Sequence, residues 1–215
     1  MTRMIFVRHG ESFGNHERRF YGIFDRGLTD LGKMQADRTG EYIAKNYKLD
    51  VAYASDLGRA LDTGCRIASK QGLEVIADTG LREISAGKWE NELFTDIQAT
   101  YAADYDLWKT DIYNSCPTGG EAVKDLCERV RRAVWEIAEK NDGKTVLLAL
   151  HATPIRSLEC EWRGEPYENM KDHIWVKNAS VSVVDYDIEN HKVTPLVIGE
   201  AEFLADMITS LPKTI

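Results

Sequence analysis

An α/β fold with a mostly parallel central sheet and helices on both faces is predicted by three features of this sequence. Short apolar runs alternate with amphipathic segments along most of the chain, the pattern of a sheet covered on both sides. One run, Thr145–Leu150, is apolar throughout after its first residue, as a strand buried on both faces must be. The first run, Met4-Ile5-Phe6-Val7, leads directly into Arg8-His9-Gly10-Glu11-Ser12. Open α/β sheets bind ligands beyond the carboxyl ends of such strands.

The elements follow in order. Residues 4–7 read as a buried strand stopped by Gly10. Residues 31–47 read as a helix capped by Thr29 or Asp30. Val51–Ala54 is a short strand, residues 57–70 a helix and residues 73–77 a third strand. Residues 121–140 form the clearest helix, because Val123, Leu126, Cys127, Val130, Val134, Ile137 and Ala138 recur on one face. Asn141-Asp142-Gly143 ends it, and Thr145–Leu150 follows as a central strand. Pro154 suits the first turn of the next helix. Residues 180–186 and 192–198 read as a closing pair of strands. Neither a repeat nor a linker divides the chain, so one domain over 1–215 is expected. Residues 89–117 are less regular and carry Trp89, Phe94, Tyr101, Tyr105, Trp108 and Tyr113. Such an insertion can cap a site or pack as a satellite core, and the two are compatible.

A net charge of −8 argues against general nucleic-acid binding, so an anionic ligand must be met by locally clustered arginines. Cys65, Cys116, Cys127 and Cys160 form neither a C-x-x-C pair nor a zinc-site spacing with histidines. Cys65 and Cys127 fall within helical patterns and read as core thiols. The N-terminus runs straight into the first strand without a signal peptide. No apolar run approaches the roughly 20 residues of a membrane span. A cytoplasmic setting without membrane partners is therefore expected.

Four segments carry chemistry. Arg8 and His9 stand together after the first strand; a neutral imidazole is a nucleophile toward phosphorus, and a guanidinium fits phosphate oxygens. Gly10 is expected to let a substrate approach the backbone. On its own, the pair reads as an edge histidine with an incidental neighbour. His151 follows the strand Thr145–Leu150 as His9 follows its own, so parallel pairing of the two strands would bring both imidazoles to one crevice. Two histidines there can be metal ligands or a nucleophile with a charge stabiliser; no third ligand stands at an obvious spacing. Ser55-Asp56-Leu57-Gly58-Arg59-Ala60 opens a helix, whose N-terminus favours anions, and Arg59 lies one turn beyond Ser55. In Leu81-Arg82-Glu83-Ile84 the apolar residues anchor a loop, leaving Glu83 to act as a general acid. The ordinary alternatives are a surface arginine and a surface glutamate.

Jointly, these segments resemble the histidine phosphatase superfamily, also called phosphoglycerate mutase-like, and its small phosphatase branch. The resemblance spans roughly residues 4–184, with the motifs in matching order. It includes Arg8-His9-Gly10-Glu11 with Asn15, Leu28-Thr29-Asp30-Leu31-Gly32, Gly119-Gly120-Glu121, and Asn178-Ala179-Ser180-Val181. The resemblance implies that His9 becomes phosphohistidine. Arg8, Arg59 and a protonated His151 would hold the transferring oxygens, assisted by Asn15, while Glu83 would serve as acid and then as base. Should Glu83 fail in that role, Glu11 is the next carboxylate to test. Arg18, Arg82, Lys88 and Arg156 are further candidates for the pocket's border, whereas His16, His173 and His191 fall outside the motifs.

The chain departs from the family pattern at Gly27, where proline is frequent, and at Ala152, where glycine commonly follows the histidine. Mutases of the group carry paired arginines in a longer middle insertion, but residues 90–120 here contain no arginine and only Lys109 as a base. The expectation is a metal-independent phosphomonoesterase, free of cofactor, acting on a small phosphorylated metabolite; the aromatic insertion suggests a ring or apolar portion in it. The alternatives are a cofactor-dependent phosphoglycerate mutase, a non-catalytic phospho-ligand binder and a metallohydrolase. Association as a homodimer stays open.

Overall fold

The computed structural model describes residues 1–209, so the last six residues of the expected 1–215 domain lie outside it. Six strands form one sheet, built from β1 (Thr2–Arg8), β2 (Val51–Ala54), β3 (Val75–Ala77), β4 (Thr145–Leu150), β5 (Val181–Asp187) and β6 (Lys192–Glu200). Their order is β3-β2-β4-β1-β5-β6. The first four are mutually parallel, while β5 runs antiparallel to both β1 and β6. The sheet is therefore mostly parallel, as the apolar runs predict, with a hairpin closing one edge.

Side-chain alternation on the strands separates two apolar layers. Met4 and Phe6 of β1 join Val146, Leu148 and Leu150 of β4 in the larger core. Ile5, Val7 and Leu147 face the opposite layer. Helices α6 (Val123–Lys140) and α7 (Ala152–Arg163) cover the first face, and α2 (Asp30–Asn46) and α3 (Gly58–Ser69) the second. Between β3 and α6 lie two short helices, α4 (Phe94–Thr100) and α5 (Ala102–Thr110). Through Ile97, Tyr105 and Trp108 they pack into the same core as α6.

Several boundaries differ from the sequence reading for identifiable reasons. Thr29, not Asp30, caps α2, its side chain accepting from Gly32 N at 3.0 Å. β3 begins at Val75 because the Leu73 amide is spent on the end of α3, donating to Ala68 O at 3.1 Å. α6 begins at Val123, since Glu121 N is drawn to Ser85 O at 2.8 Å and Ala122 is extended. A five-residue helix α1 (Phe13–Glu17), absent from the sequence reading, is nucleated by a capping box in which Ser12 and Asn15 satisfy each other's backbone N–H. Cys65 is exposed rather than a core thiol, because the buried face of α3 runs through Ala60, Thr63, Gly64, Ile67 and Ala68. Cys127 is buried as expected.

Leu148, fully buried at the middle of β4, is the natural probe of this core. Leu148→Ala should lower unfolding free energy by about 3 kcal/mol in urea titration, the scale of a cavity in a packed interior; a change below about 1 kcal/mol would mean that the sheet's centre relaxes around the loss.

Candidate active site

β1 and β4 pair in parallel with Arg8 opposite Leu150. The next residue on each strand is a histidine. His9 N still donates to Leu150 O at 2.9 Å, so the ladder ends at the two imidazoles. Their ring centroids lie 5.2 Å apart, inclined at 59°. Both rings are buried. His9 Nδ1 lies 2.7 Å from Gly10 O. A carbonyl can only accept, so Nδ1 carries the proton and Nε2 of the neutral ring keeps its lone pair. Asn178 braces the same turn, its Nδ2 reaching His9 O at 3.0 Å and Gly10 O at 3.3 Å.

Gly10 has a different role from the one expected. A Cβ there would lie 2.3 Å from Gly32 O, and a Cβ on Gly32 would lie 2.0 Å from Glu11 O. The two glycines let the first turn of α2 press against the histidine turn, so backbone packing requires them.

A cavity of about 60 Å³ opens over His9, and Arg8, Asn15, Arg59, Glu83 and Thr153 also line it. His151, fully buried, packs against the His9 ring and does not itself line the cavity, and neither of its ring nitrogens has a partner among the described residues. Arg8 anchors one end of its guanidinium on Val176 O at 2.6 Å, while its Nε is buried without a partner. Arg59 is held by carbonyls, through Nη2 on Gly22 O at 2.7 Å and Tyr21 O at 3.2 Å and Nη1 on Phe24 O at 3.1 Å. Asp25 accepts from Arg59 N at 3.0 Å and stands 3.5 Å from the guanidinium. Asn15 Oδ1 accepts from Ser12 N, Ser12 Oγ and Asn178 Nδ2. This leaves its NH2 end to offer the cavity.

The electrostatics favour an anion. Burial, then Arg59 and Arg8, hold the His9 imidazole well below its usual range, so the ring is neutral at pH 7. His151 is likewise held low by burial, Arg59, His9 and Arg8. The structure departs here from the protonated His151 of the sequence reading: two neighbouring guanidiniums and burial both oppose a further positive charge. Burial pushes the Arg8 guanidinium down to about 10, still charged at pH 7. Burial also raises the Glu83 carboxyl, against the N–H groups of Ile84 at 2.9 Å and Thr153 at 3.3 Å. No group of three or more His, Cys, Asp or Glu side chains among the described residues could hold a metal ion.

The sequence profile of the histidine phosphatase superfamily, branch 1, matches residues 4–197. The chain belongs to this superfamily. Among curated relatives, it is 29% identical over 198 residues to phosphoserine phosphatase 1 of Hydrogenobacter thermophilus, covering 92% of this chain and 93% of that one. It is 33% identical over 190 residues to a probable phosphoglycerate mutase of Klebsiella pneumoniae, covering 86% of each. The solved structure of Bacillus stearothermophilus YhfR superposes with a TM-score of 0.89 at 27% identity, over 95% of this chain and all of that one.

This histidine phosphatase member thus gathers Arg8, His9, Asn15, Arg59, Glu83 and His151 in one place. The other candidates fall away. Glu11 lies outside the cavity, its carboxylate accepting from Thr29 Oγ1 at 2.7 Å. Arg82 is held by the Asp56 carboxylate, and Arg18 and Lys88 are exposed. Arg156 reaches the site only indirectly, lying 4.2 Å from the ring centroid of Trp175, which lines the cavity. His16 is exposed, His173 lies between Glu159 and Glu165, and His191 packs on Trp135.

The sequence reading missed Arg19, which lines the cavity, and two carboxylates that help to position Arg59, Asp25 and Glu90. The Glu90 carboxylate accepts from Gly22 N at 3.1 Å, Ile23 N at 2.9 Å, Phe24 N at 3.0 Å and Ala86 N at 2.8 Å. It clips the loop whose carbonyls hold Arg59 to the loop that carries Glu83. Gly22 permits the contact, because a Cβ there would lie 2.3 Å from Ile84 O. No local signal marks Glu90, three of whose four partners lie 66 to 68 residues upstream.

Glu90→Ala strips four N–H groups of their acceptor. It should reduce stability by about 2 kcal/mol and weaken inorganic phosphate binding about tenfold or more in calorimetric titration. Lowered stability with unchanged phosphate affinity would reduce Glu90 to scaffolding alone.

Proposed function

We propose that this chain is a phosphomonoesterase that hydrolyses a small phosphorylated metabolite through a phosphohistidine on His9, without a metal. The observation that carries this reading is the pair of buried guanidiniums, Arg8 and Arg59, that share one cavity with the neutral His9 imidazole. Arg8 Nε and both His151 nitrogens are buried without partners, Arg59 lines the same cavity, and a carboxyl raised by burial stands on its wall. Phosphoryl transfer calls for this kind of positioning and charge neutralisation.

In the first step the Nε2 lone pair of His9 forms an N–P bond as the P–O bond to the leaving group breaks. The Glu83 carboxyl gives its proton to the departing alkoxide. Arg8, Arg59, Asn15 and His151 hold the three equatorial oxygens. In the second step the Glu83 carboxylate takes a proton from water as the water oxygen bonds to phosphorus. The N–P electrons return to Nε2, and inorganic phosphate leaves. The Nδ1–H bond to Gly10 O keeps the imidazole in the reactive tautomer throughout.

The phosphatase name of one relative supports hydrolysis, and the mutase name of another is the second reading. Against the mutase stands the insertion. Lys109, the only cation among residues 90–120, lies 5.9 Å from the Tyr105 ring centroid and is exposed, outside the cavity. A non-catalytic binder would have no use for a carboxyl raised by burial in the same cavity as His9.

His9→Ala should abolish turnover and the acid-labile, base-stable phosphate trapped by rapid quench, while the wild-type enzyme keeps its activity under strong chelation. Turnover by the variant, or activity lost to chelator and restored by a divalent ion, would overturn the mechanism. Glu83→Gln should slow the first step about 10²-fold or more for an alkyl phosphate and spare the phosphorylation burst with an aryl phosphate. Because the raised carboxyl donates only while protonated, alkyl phosphate turnover should fall as pH rises through its pKa, and Glu83→Gln should lose that limb. Equal first-step losses for both esters would make Glu83 positional.

A further inference from the structure

Resting on the phosphatase reading, the structure assigns an aromatic subsite to the leaving group. We infer that the preferred substrates are phosphomonoesters whose alcohol carries a planar apolar ring and no carboxylate. Above the phosphate-binding floor the cavity is walled by Phe20, Tyr21, Phe94, Trp108 and Trp175. The wall is a braced assembly. Phe20 meets Trp108 edge-on at 5.4 Å and Phe94 at 5.7 Å, and Trp108 lies parallel to Trp175 at 6.4 Å and 16°. Trp175 is backed by the Arg156 guanidinium, which is itself fixed on Met170 O at 2.7 Å and Lys171 O at 2.9 Å. Aromatic side chains held by such neighbours present flat, preorganised apolar area to a ligand ring.

The charges on this wall point the same way. Arg19 is the cation beside the aromatic residues, and it is already engaged. Its Nε stands 3.3 Å from the Glu17 carboxylate and its Nη1 donates to Asn91 O at 2.7 Å. Arg8, Arg59 and His151 serve the phosphoryl group. A leaving group bearing a carboxylate would lose its hydration against the negative faces of aromatic rings, and the guanidinium that lines the cavity beside them is already paired with the Glu17 carboxylate.

The test uses the full chain and primary alkyl phosphates, so that leaving-group basicity does not decide the result. The kcat/KM for 3-phenylpropyl phosphate should exceed that for n-propyl phosphate and for phosphoserine by about tenfold or more, the scale of burying one ring. Tryptophan fluorescence of His9→Ala should report tighter binding of phenylpropyl than of propyl phosphate, displaceable by inorganic phosphate. Phe94→Leu and Trp175→Leu, both at partly buried positions, should each cut the phenylpropyl-to-propyl ratio at least threefold. Equal or greater kcat/KM for phosphoserine overturns the subsite, as does equal binding of the two alkyl esters. The phosphatase reading fails separately, when no ester is hydrolysed and no phosphohistidine forms. The binding comparison then still judges the wall, and it does so whether or not the leucine variants fold.

Discussion

The parallel ladder between β1 and β4 is the constraint on which the rest of the structure depends. It runs in register from Arg3 opposite Thr145 to Arg8 opposite Leu150, and both strands stop at a histidine. A shift of one residue would turn every side chain of β1 to the other layer. It would exchange Met4 and Phe6 for Ile5 and Val7 in the larger core and separate the two imidazoles. The same burial that stabilises the sheet thereby fixes a 5.2 Å spacing between two rings whose sequence positions lie far apart. The turn beyond the ladder is tied in three directions: by Asn178 from the β5 side, by Gly32 of α2 and by Thr63 of α3, whose Oγ1 accepts from Gly10 N at 3.1 Å.

Around these rings the protein keeps positive charge buried with little opposing negative charge. Arg8 is anchored on one backbone carbonyl and Arg59 on three, with Asp25 alone close enough to pair. Carbonyl dipoles orient a guanidinium while leaving its net charge in place for a ligand. A carboxylate pair would cancel that charge. The consequence is a site whose two imidazoles are held low and whose Glu83 carboxyl is held above its usual range, all three chiefly by burial. Such groups are destabilising in isolation. The surrounding core, with Trp89, Leu81 and Ile84 fully buried beneath the Glu83 loop, holds them in place.

Two networks meet at the cavity and divide its work. Glu90 fixes the loop whose carbonyls hold Arg59, and Asp25 accepts from Arg59 N. The aromatic stack from Phe20 to Trp175 walls the end inferred to take the leaving group. Phe20 joins the two. Its ring packs in the stack, and its backbone N–H and carbonyl hold Glu92 O and Asn91 N at 2.9 and 2.8 Å. The insertion is thus connected to the loop that positions Arg59.

The order of the six strands and of α2, α3, α6 and α7 and the two histidine-bearing strand ends were legible in the chain itself, announced by local pattern: an apolar run, a cap, a turn glycine. The site residues Arg8, His9, Arg59, Glu83 and His151 were singled out only jointly, by the resemblance of their motifs to those of the superfamily. The Thr29 cap and the shortened β3 were not resolved by pattern, since both depend on which amide finds which acceptor. Other features were invisible for a common reason. The Glu90 clip, the Asp25 contact and the clearance between Gly10 and Gly32 join segments far apart in sequence, and no periodicity encodes such a meeting. Cys65 was misjudged because helical spacing alone could not rank the two edges of an apolar stripe. The charge of His151 also lay beyond pattern, because an imidazole's protonation follows from its neighbours in space. Local sequence specifies elements and chemistry-bearing residues through propensity and burial; distances, tautomers and charge states arise only when packing sets those residues against one another.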